Sequence, residues 1–258
     1  TTTSPVGSTA WKITNTDGTI YIFDLRELNP TTEQIVNGTS GGNVIVPGAG
    51  RSGHPNVSSP TWFLTKIISP TGDSVILNYQ SYTAAIEYFR GETNYTQQSG
   101  LQLTCPGGPA VNPPANTSNY ELQQINGYRL QSIVSRNGTV QFKTGSNRCD
   151  LLGDNFLSEI DVSDNTGKLI KKVSMVYNYL SGNTLYATSQ VNCSTEAEPS
   201  IGYVDVTMPS LQRRLMLMEV DEINTISGQV DNSYKMNYQI SSGLPSRFSP
   251  QQDTWGYY

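Results

Sequence analysis

The chain has 258 residues, 36% hydrophobic and 9% aromatic, enough to bury one or two cores and unlike a disordered or fibrous composition. A formal net charge of −5 and a pI near 4.9 exclude a nucleic-acid binder built on clustered Lys and Arg. No apolar run approaches the roughly 20 residues of a membrane-spanning helix, so no membrane insertion is expected.

With 15 Tyr, 23 Gly and 14 Pro against 14% charged residues, the composition favours strands and turns over helices. Residues 11 to 23, WKITNTDGTIYIF, read as a first hairpin. Trp11 and Ile13 alternate, Asp17-Gly18 supplies a positive-φ turn, and Ile20 and Ile22 alternate with Tyr21 and Phe23. Between Asp24 and Ser59 the pattern dissolves into Gly, Ser, Asn and Pro, with Val44-Ile45-Val46 the one strand signal; a long connection is expected near 24–59.

Trp62 to Gln80, WFLTKIISPTGDSVILNYQ, is the unit on which the later hairpins are variations. Two apolar runs flank a Pro-Thr-Gly-Asp turn, and Val75, Leu77 and Tyr79 alternate with Ile76 and Asn78 at the period of two of a pleated strand. Thr83 to Phe89 fits either a strand or a short helix. Gly100 to Tyr120 carries Cys-Pro-Gly-Gly-Pro and Asn-Pro-Pro, so a surface loop is expected near 100–120.

Tyr128 to Lys143 repeats the unit around Asn137-Gly138, and Phe156 to Leu180 repeats it around Asp164-Asn165-Thr166-Gly167. Arg214 to Ile240 gives the last copy, with Leu215, Leu217 and Val220 in its first strand and Tyr234, Met236, Tyr238 and Ile240 in its second. Four first strands carry apolar residues three apart: Leu64/Ile67, Leu130/Ile133, Leu157/Ile160 and Leu217/Val220. A regular strand cannot point both members of such a pair to one face, so either both faces are buried or a bulge recurs. The clean alternation of the second strands favours the bulge. The expected fold is all-β: successive antiparallel hairpins forming one long, curled antiparallel sheet over residues 1–258.

The residues offer little chemistry by spacing. Cys105, Cys149 and Cys193 have no Cys-x-x-Cys pattern, which argues against zinc, and allow one disulfide with one thiol left over. His54 is the single histidine and sits in a Gly-Pro-flanked loop, with Ser52 and Ser58 as arbitrary partners for a triad. Glu87, Glu121, Glu159 and Asp161 are the carboxylates a glycosidase would draw on, and no pair stands out. Asp150, Asp154, Asp161, Asp164 and Asn165 are dense but lack a calcium-loop spacing. Lys171-Lys172 and Arg213-Arg214 read as solvated strand positions. No catalytic, cofactor-binding or metal-binding residue is assigned. Tyr79, Tyr177, Tyr179 and Trp255 are the candidates for stacking against a sugar; alternating Tyr more often pin register as cross-strand pairs.

The motif order carries a resemblance. Trp11 to Phe23 (W-x-I-x-x-x-D-G-T-x-Y-x-F) followed by Trp62 to Tyr79 (W-x-L-T-K-I-x-S-P-T-G-D-x-x-x-L-x-Y) resembles the region preceding the Rhs/YD repeats of large surface proteins of Bacteroidetes-type bacteria. Arg148-Cys149-Asp150 resembles that region's R-x-D element, and Arg213-Arg214-Leu215 its K-R-L. Leu244-Pro245-Ser246-Arg247 with Asp253-Thr254-Trp255-Gly256-Tyr257-Tyr258 resembles its ending. The resemblance implies a secreted or cell-surface, non-enzymatic structural module, one piece of a larger bacterial protein, whose partners are neighbouring modules of the same polypeptide. Tandem YD repeats are absent, so a closed shell is not implied. The competing expectation is a carbohydrate-binding or adhesive module with glycans as partners; a glycosidase-type enzyme stands third.

Overall fold

The computed structural model describes residues 10–27, 61–93, 117–151, 153–191, 212–240 and 244–245, and the strand pieces 2–3, 30–32, 34–39, 44–45, 55–57 and 204–205. Side chains are described for 10–27, 61–84, 126–151, 153–191, 212–240 and 244–245. In chain order the strands are β1 (Thr2–Thr3), β2 (Trp11–Thr14), β3 (Ile20–Phe23), β4 (Leu25–Glu27), β5 (Pro30–Thr32), β6 (Gln34–Thr39), β7 (Val44–Ile45), β8 (Pro55–Val57), β9 (Thr61–Phe63) and β10 (Lys66–Ile68). There follow β11 (Ser74–Thr93), β12 (Thr117–Ser135), β13 (Gly138–Asn147), β14 (Asn155–Asp164), β15 (Leu169–Ser181), β16 (Thr184–Ala187), β17 (Val204–Asp205), β18 (Arg213–Ile223) and β19 (Val230–Lys235).

One antiparallel sheet holds most of them, in the order β1-β2-β3-β10-β11-β12-β13-β14-β15-β18-β19, with β16 added beside β15 and β6 beside β12. The order follows the sequence, as hairpins laid edge to edge require, and the path does not close. The expected all-β class and hairpin series are therefore observed. Turns fall where the sequence places them: Gly18, Gly72 and Gly167 adopt φ of 88°, 91° and 85°, a region open to glycine at no steric cost. Thr83 to Phe89, ambiguous in sequence, lies within the 20-residue strand β11.

The expected bulges are present, one in each of the four first strands. Tyr79 of β11 pairs with Leu130 while Asn78 pairs with Ser132, leaving Gln131 extra in β12. Thr144 pairs with Leu157 and Lys143 with Glu159, leaving Ser158 extra in β14. Tyr177 pairs with Leu217 and Val176 with Glu219, leaving Met218 extra in β18. In the earliest hairpin, Ile22 pairs with Lys66 yet its carbonyl also accepts the Thr65 N–H at 2.9 Å, two residues opposing one. Each extra residue follows the motif Leu directly, so Leu and the Ile or Val three positions on can share a face.

Register sorts the sheet into two faces. Leu77, Ile133, Val140 and Val162 form one cross-strand row, and Phe142, Ile160 and Val173 the next, on the apolar side. The other side carries Asn78, Ser132, Gln141, Lys143, Glu159, Asp161 and Lys172. Among the described residues the most deeply buried are Ala84, Cys149, Asp150, Tyr179 and Leu180, and all of these but Leu180 meet at the β13–β14 connection, which covers the Tyr179 end of the apolar side.

That connection also sets the curl. Asp150 accepts the backbone N–H of Leu215 in β18 at 2.9 Å, while a Cβ on Gly153 would stand 2.4 Å from the Thr83 carbonyl oxygen of β11. β11 and β18 are five steps apart in the sheet, about 24 Å if it were flat. The three residues from Asp150 to Gly153 reach at most about 11 Å. The sheet therefore wraps around the turn.

Two expected loops need correction. Within 24–59 the chain forms β4, β5, β6, β7 and β8, paired with β9, β8, β12, β17 and β5 respectively. β7 falls on the expected Val44-Ile45 signal; the Pro, Thr and Asn of β5 and β8 give no alternation, and their pairing is dictated by the partner strand rather than by local propensity. The expected 100–120 loop is shorter at its end, because β12 begins at Thr117; residues 100–116 lie outside those described.

Candidate functional site

Arg148 and Asp150 form a bidentate pair, Nε to Oδ1 at 3.0 Å and Nη2 to Oδ2 at 2.9 Å. A two-residue spacing across a tight turn lets the planar guanidinium meet the carboxylate edge-on. Arg148 Nη1 reaches Asp154 Oδ2 at 3.3 Å, and the other Asp154 oxygen is 3.3 Å from Arg129 Nη1. Burial acts to lower the Arg148 pKa, but the Asp150 carboxylate outweighs it and the guanidinium is held charged above its ordinary range. Between the two lies Cys149, wholly buried and disulfide-bonded, its N–H donating to the Tyr179 hydroxyl at 2.8 Å. Its partner lies outside the described residues.

Arg129 stands in a fork. β12 and β13 pair only from Ser135↔Gly138 to Ser132↔Gln141, after which β12 runs on with β11 and β13 with β14. The Arg129 guanidinium bridges the opening, 4.6 Å over the Tyr82 ring and 3.4 Å from the Asn155 carbonyl. A cleft of about 310 Å³ opens there between Tyr82, Tyr128, Phe142, Asp154 and Leu157. A second, of about 520 Å³, shares Tyr82 and Tyr128 and extends to Arg26, Thr83 and Asn126.

The second strands of the hairpins share one arrangement. At each join the motif Ile or Val faces Tyr21, Leu77, Phe142 or Met175, and the following residue but one is Phe23, Tyr79, Thr144 or Tyr177, beside the bulge. Tyr79 donates its hydroxyl to the Leu64 carbonyl at 2.8 Å, and Tyr238 donates to the Leu217 carbonyl at 2.7 Å. Both carbonyls belong to the motif Leu, so a tyrosine two positions along the partner strand ties the irregular backbone down. Just beyond β19 the same spacing recurs in Met236 and Tyr238, with the Met236 N–H bonded to the Met218 carbonyl at 2.8 Å, so the expected second strand to Ile240 stops at Lys235 while its alignment continues. Among the described residues no strand pairs with the outer side of β19.

The sequence-proposed stacking residues have other surroundings. Tyr179 is 1% exposed, with no face open to a ligand, and burial raises its pKa. The Tyr79 ring packs 5.2 Å from Phe63, and the Tyr177 ring 5.0 Å from Phe156. Trp255 and His54 lie outside the described residues. Glu159 and Asp161 both bind Lys143, each at 2.6 Å, and Glu159 also binds Lys172. Burial acts to raise the Glu159 pKa, but the two ammonium groups prevail and hold it below 4.5. Asp164 caps its own turn, accepting from Thr166 N–H and Lys168 N–H at 2.9 and 3.0 Å. The Asp-rich stretch is thus spread over a clasp, a lysine pair and a turn, and no group of three metal-ligating side chains occurs among the described residues. Glu87 and Glu121 stand on β11 and β12, their side chains outside those described. The Arg148–Asp150 clasp could have been read from the Arg-Cys-Asp spacing, whereas Tyr82, Tyr128 and Arg129 had no local signal.

Compared with protein families, characterised proteins and solved structures, the chain matches none.

Proposed function

We propose that this chain is a non-enzymatic structural module of a bacterial secreted or cell-surface protein of Rhs/YD type, and that it works by continuing its sheet into neighbouring modules of the same polypeptide. The observation that carries the reading is the open sheet itself: hairpins joined in sequence order by one repeated register, ending on β19 with its outer side unpaired among the described residues. Main-chain N–H and C=O groups along such an edge pair with an added strand. The disulfide at Cys149 supports an oxidising compartment. The capture of Glu159 and Asp161 by lysines supports a structural over a hydrolytic role for those acids.

Hydrogen exchange tests the reading. Expressed together with the segment that follows it in its parent polypeptide, the chain should show slower amide exchange over Val230–Lys235 than alone. Unchanged exchange there would defeat the reading. A carbohydrate-binding role is favoured by a different observation, the two clefts sharing Tyr82 and Tyr128 with Asn126, Arg129 and Asp154 at their walls. A saturable hit on a glycan array, with or without calcium, that vanishes in Tyr128→Ala would establish it.

A further inference from the structure

The four joins of the sheet fix the address of a fifth. In every join the incoming first strand sets its motif Ile or Val opposite one defined residue: Ile67 opposite Tyr21, Ile133 opposite Leu77, Ile160 opposite Phe142, Val220 opposite Met175. In the three later joins the motif Leu lies opposite the residue two positions further on: Leu130 opposite Tyr79, Leu157 opposite Thr144, Leu217 opposite Tyr177. The fourth residue after that Leu lies opposite Ile76, Gln141 and Ser174 in the same three joins. The separations along the chain from one motif Leu to the next are unequal, so chain length does not impose this agreement. The bulge does.

Within its own hairpin, β19 is aligned as those second strands are. Lys235 pairs with Glu219 and the Met236 N–H bonds to Met218, as Ile76 pairs with Lys66 and the Leu77 N–H bonds to Thr65. Met236 thus stands where Leu77 stands, and Tyr238 where Tyr79 stands, down to the hydroxyl bond to the preceding motif Leu carbonyl. We propose that the outer edge of Val230–Tyr238 is the docking site for one further first strand of Leu-x-x-Ile/Val type, paired antiparallel, with its Ile or Val opposite Met236, its Leu opposite Tyr238 and its bulge between Asn237 and Tyr238. This rests on the structural reading above and adds to it a register and a sequence class for the partner. A strand without the motif would have to leave its bulge or its apolar pair off the apolar face, since a one-residue slip turns every side chain over.

The probe is the chain's own hairpin. A second copy of residues 155–181 is attached after Tyr258 through a flexible Gly-Ser linker, with Lys235→Cys in the chain and Asp161→Cys in the attached copy, because Asp161 is the fourth residue after Leu157. Linked peptides are mapped by mass spectrometry, and circular dichroism checks that both variants fold. The Lys235–Asp161 cysteine pair should cross-link roughly tenfold more than the pair with the cysteine moved one position along the copy. Replacing Leu157 and Ile160 by Ser in the copy alone should abolish the preference. Cross-links to β19 in another register would overturn this inference and leave the structural reading standing. Absence of any cross-link along β19, or protection of β19 by residues 241–258 of the unextended chain, would overturn both. Cross-links that form only between molecules and scale with concentration would assign the edge to a second copy of the chain and overturn the inference.

Discussion

Replacing Asp150 with alanine removes at least three bonds at once, among them both arms of the pair with Arg148 and the acceptor of the Leu215 N–H. Breaking a buried ion pair from one side costs about 3–5 kcal/mol, because the remaining charge stays desolvated. Arg148 is a quarter exposed and keeps Asp154 at 3.3 Å, which places this part at the lower end, about 3 kcal/mol. Leaving the Leu215 amide without an acceptor adds about 1 kcal/mol, so the expected loss is about 4 kcal/mol. Asp150→Asn keeps the shape and one carbonyl acceptor and should lose about half as much, roughly 2 kcal/mol. Urea unfolding under oxidising conditions, followed by tryptophan fluorescence, reads both. The double variant Arg148→Met/Asp150→Leu, which removes the charges together, should be more stable than Asp150→Ala. A loss under about 1 kcal/mol for Asp150→Ala, or strict additivity in the pair, would show that this turn does not hold β18 against the rest of the sheet.

Tyr79→Phe should cost about 1 kcal/mol by orphaning the Leu64 carbonyl, and Tyr238→Phe less, since water reaches that more exposed tyrosine; denaturant midpoints measure both. Gly153→Ala combines a φ of +83° with a contact of 2.4 Å to the Thr83 carbonyl, and should cost more than about 2 kcal/mol, whereas Gly72→Ala, at φ +91° with open space around it, should cost about 1 kcal/mol. Cys149→Ser should cost about 4 kcal/mol by the loop-entropy relation, whichever cysteine is its partner, because Cys105 and Cys193 both stand 44 positions from Cys149; peptide mapping without reductant identifies the pair. The Glu159 carboxyl is depressed below 4.5 in the folded chain, so its contribution is complete above the unfolded value and fades as pH falls through the folded one. Stability should drop below about pH 4.5, and Glu159→Gln should flatten that part of the profile in thermal melts.

The hairpins were legible because their signals are local. Asp17-Gly18, Asn137-Gly138 and Thr166-Gly167 each place a glycine where a tight turn requires it, and the flanking alternation needs no knowledge of the partner. The bulges were legible for the same reason: Leu157 and Ile160 contradict a period of two, and an extra Ser158 is the smallest way to resolve the conflict. β4, β5, β6 and β8 were not legible, since segments such as Pro30–Thr32 become strands only through their pairing partners. The tyrosines show both sides of this. Their alternation gave their faces, but Tyr179 is covered by a turn that begins thirty residues earlier, a relation no window of sequence contains. Asp150 reaches Leu215 across sixty-five residues, so its partner beyond Arg148 was equally hidden.

The recurrent bulge has a consequence for how such a chain can lengthen. Each first strand finds its place by a local mark, the extra residue after Leu, rather than by counting from the previous hairpin. An offset made in one connection is therefore cancelled at the next mark instead of being handed down the sheet. Connections can therefore differ in length without disturbing the register, as the unequal separations between Thr93 and Thr117 and between Ser181 and Arg213 illustrate. The bulge acts as a reading frame for the fold, leaving variation to the spaces between the words.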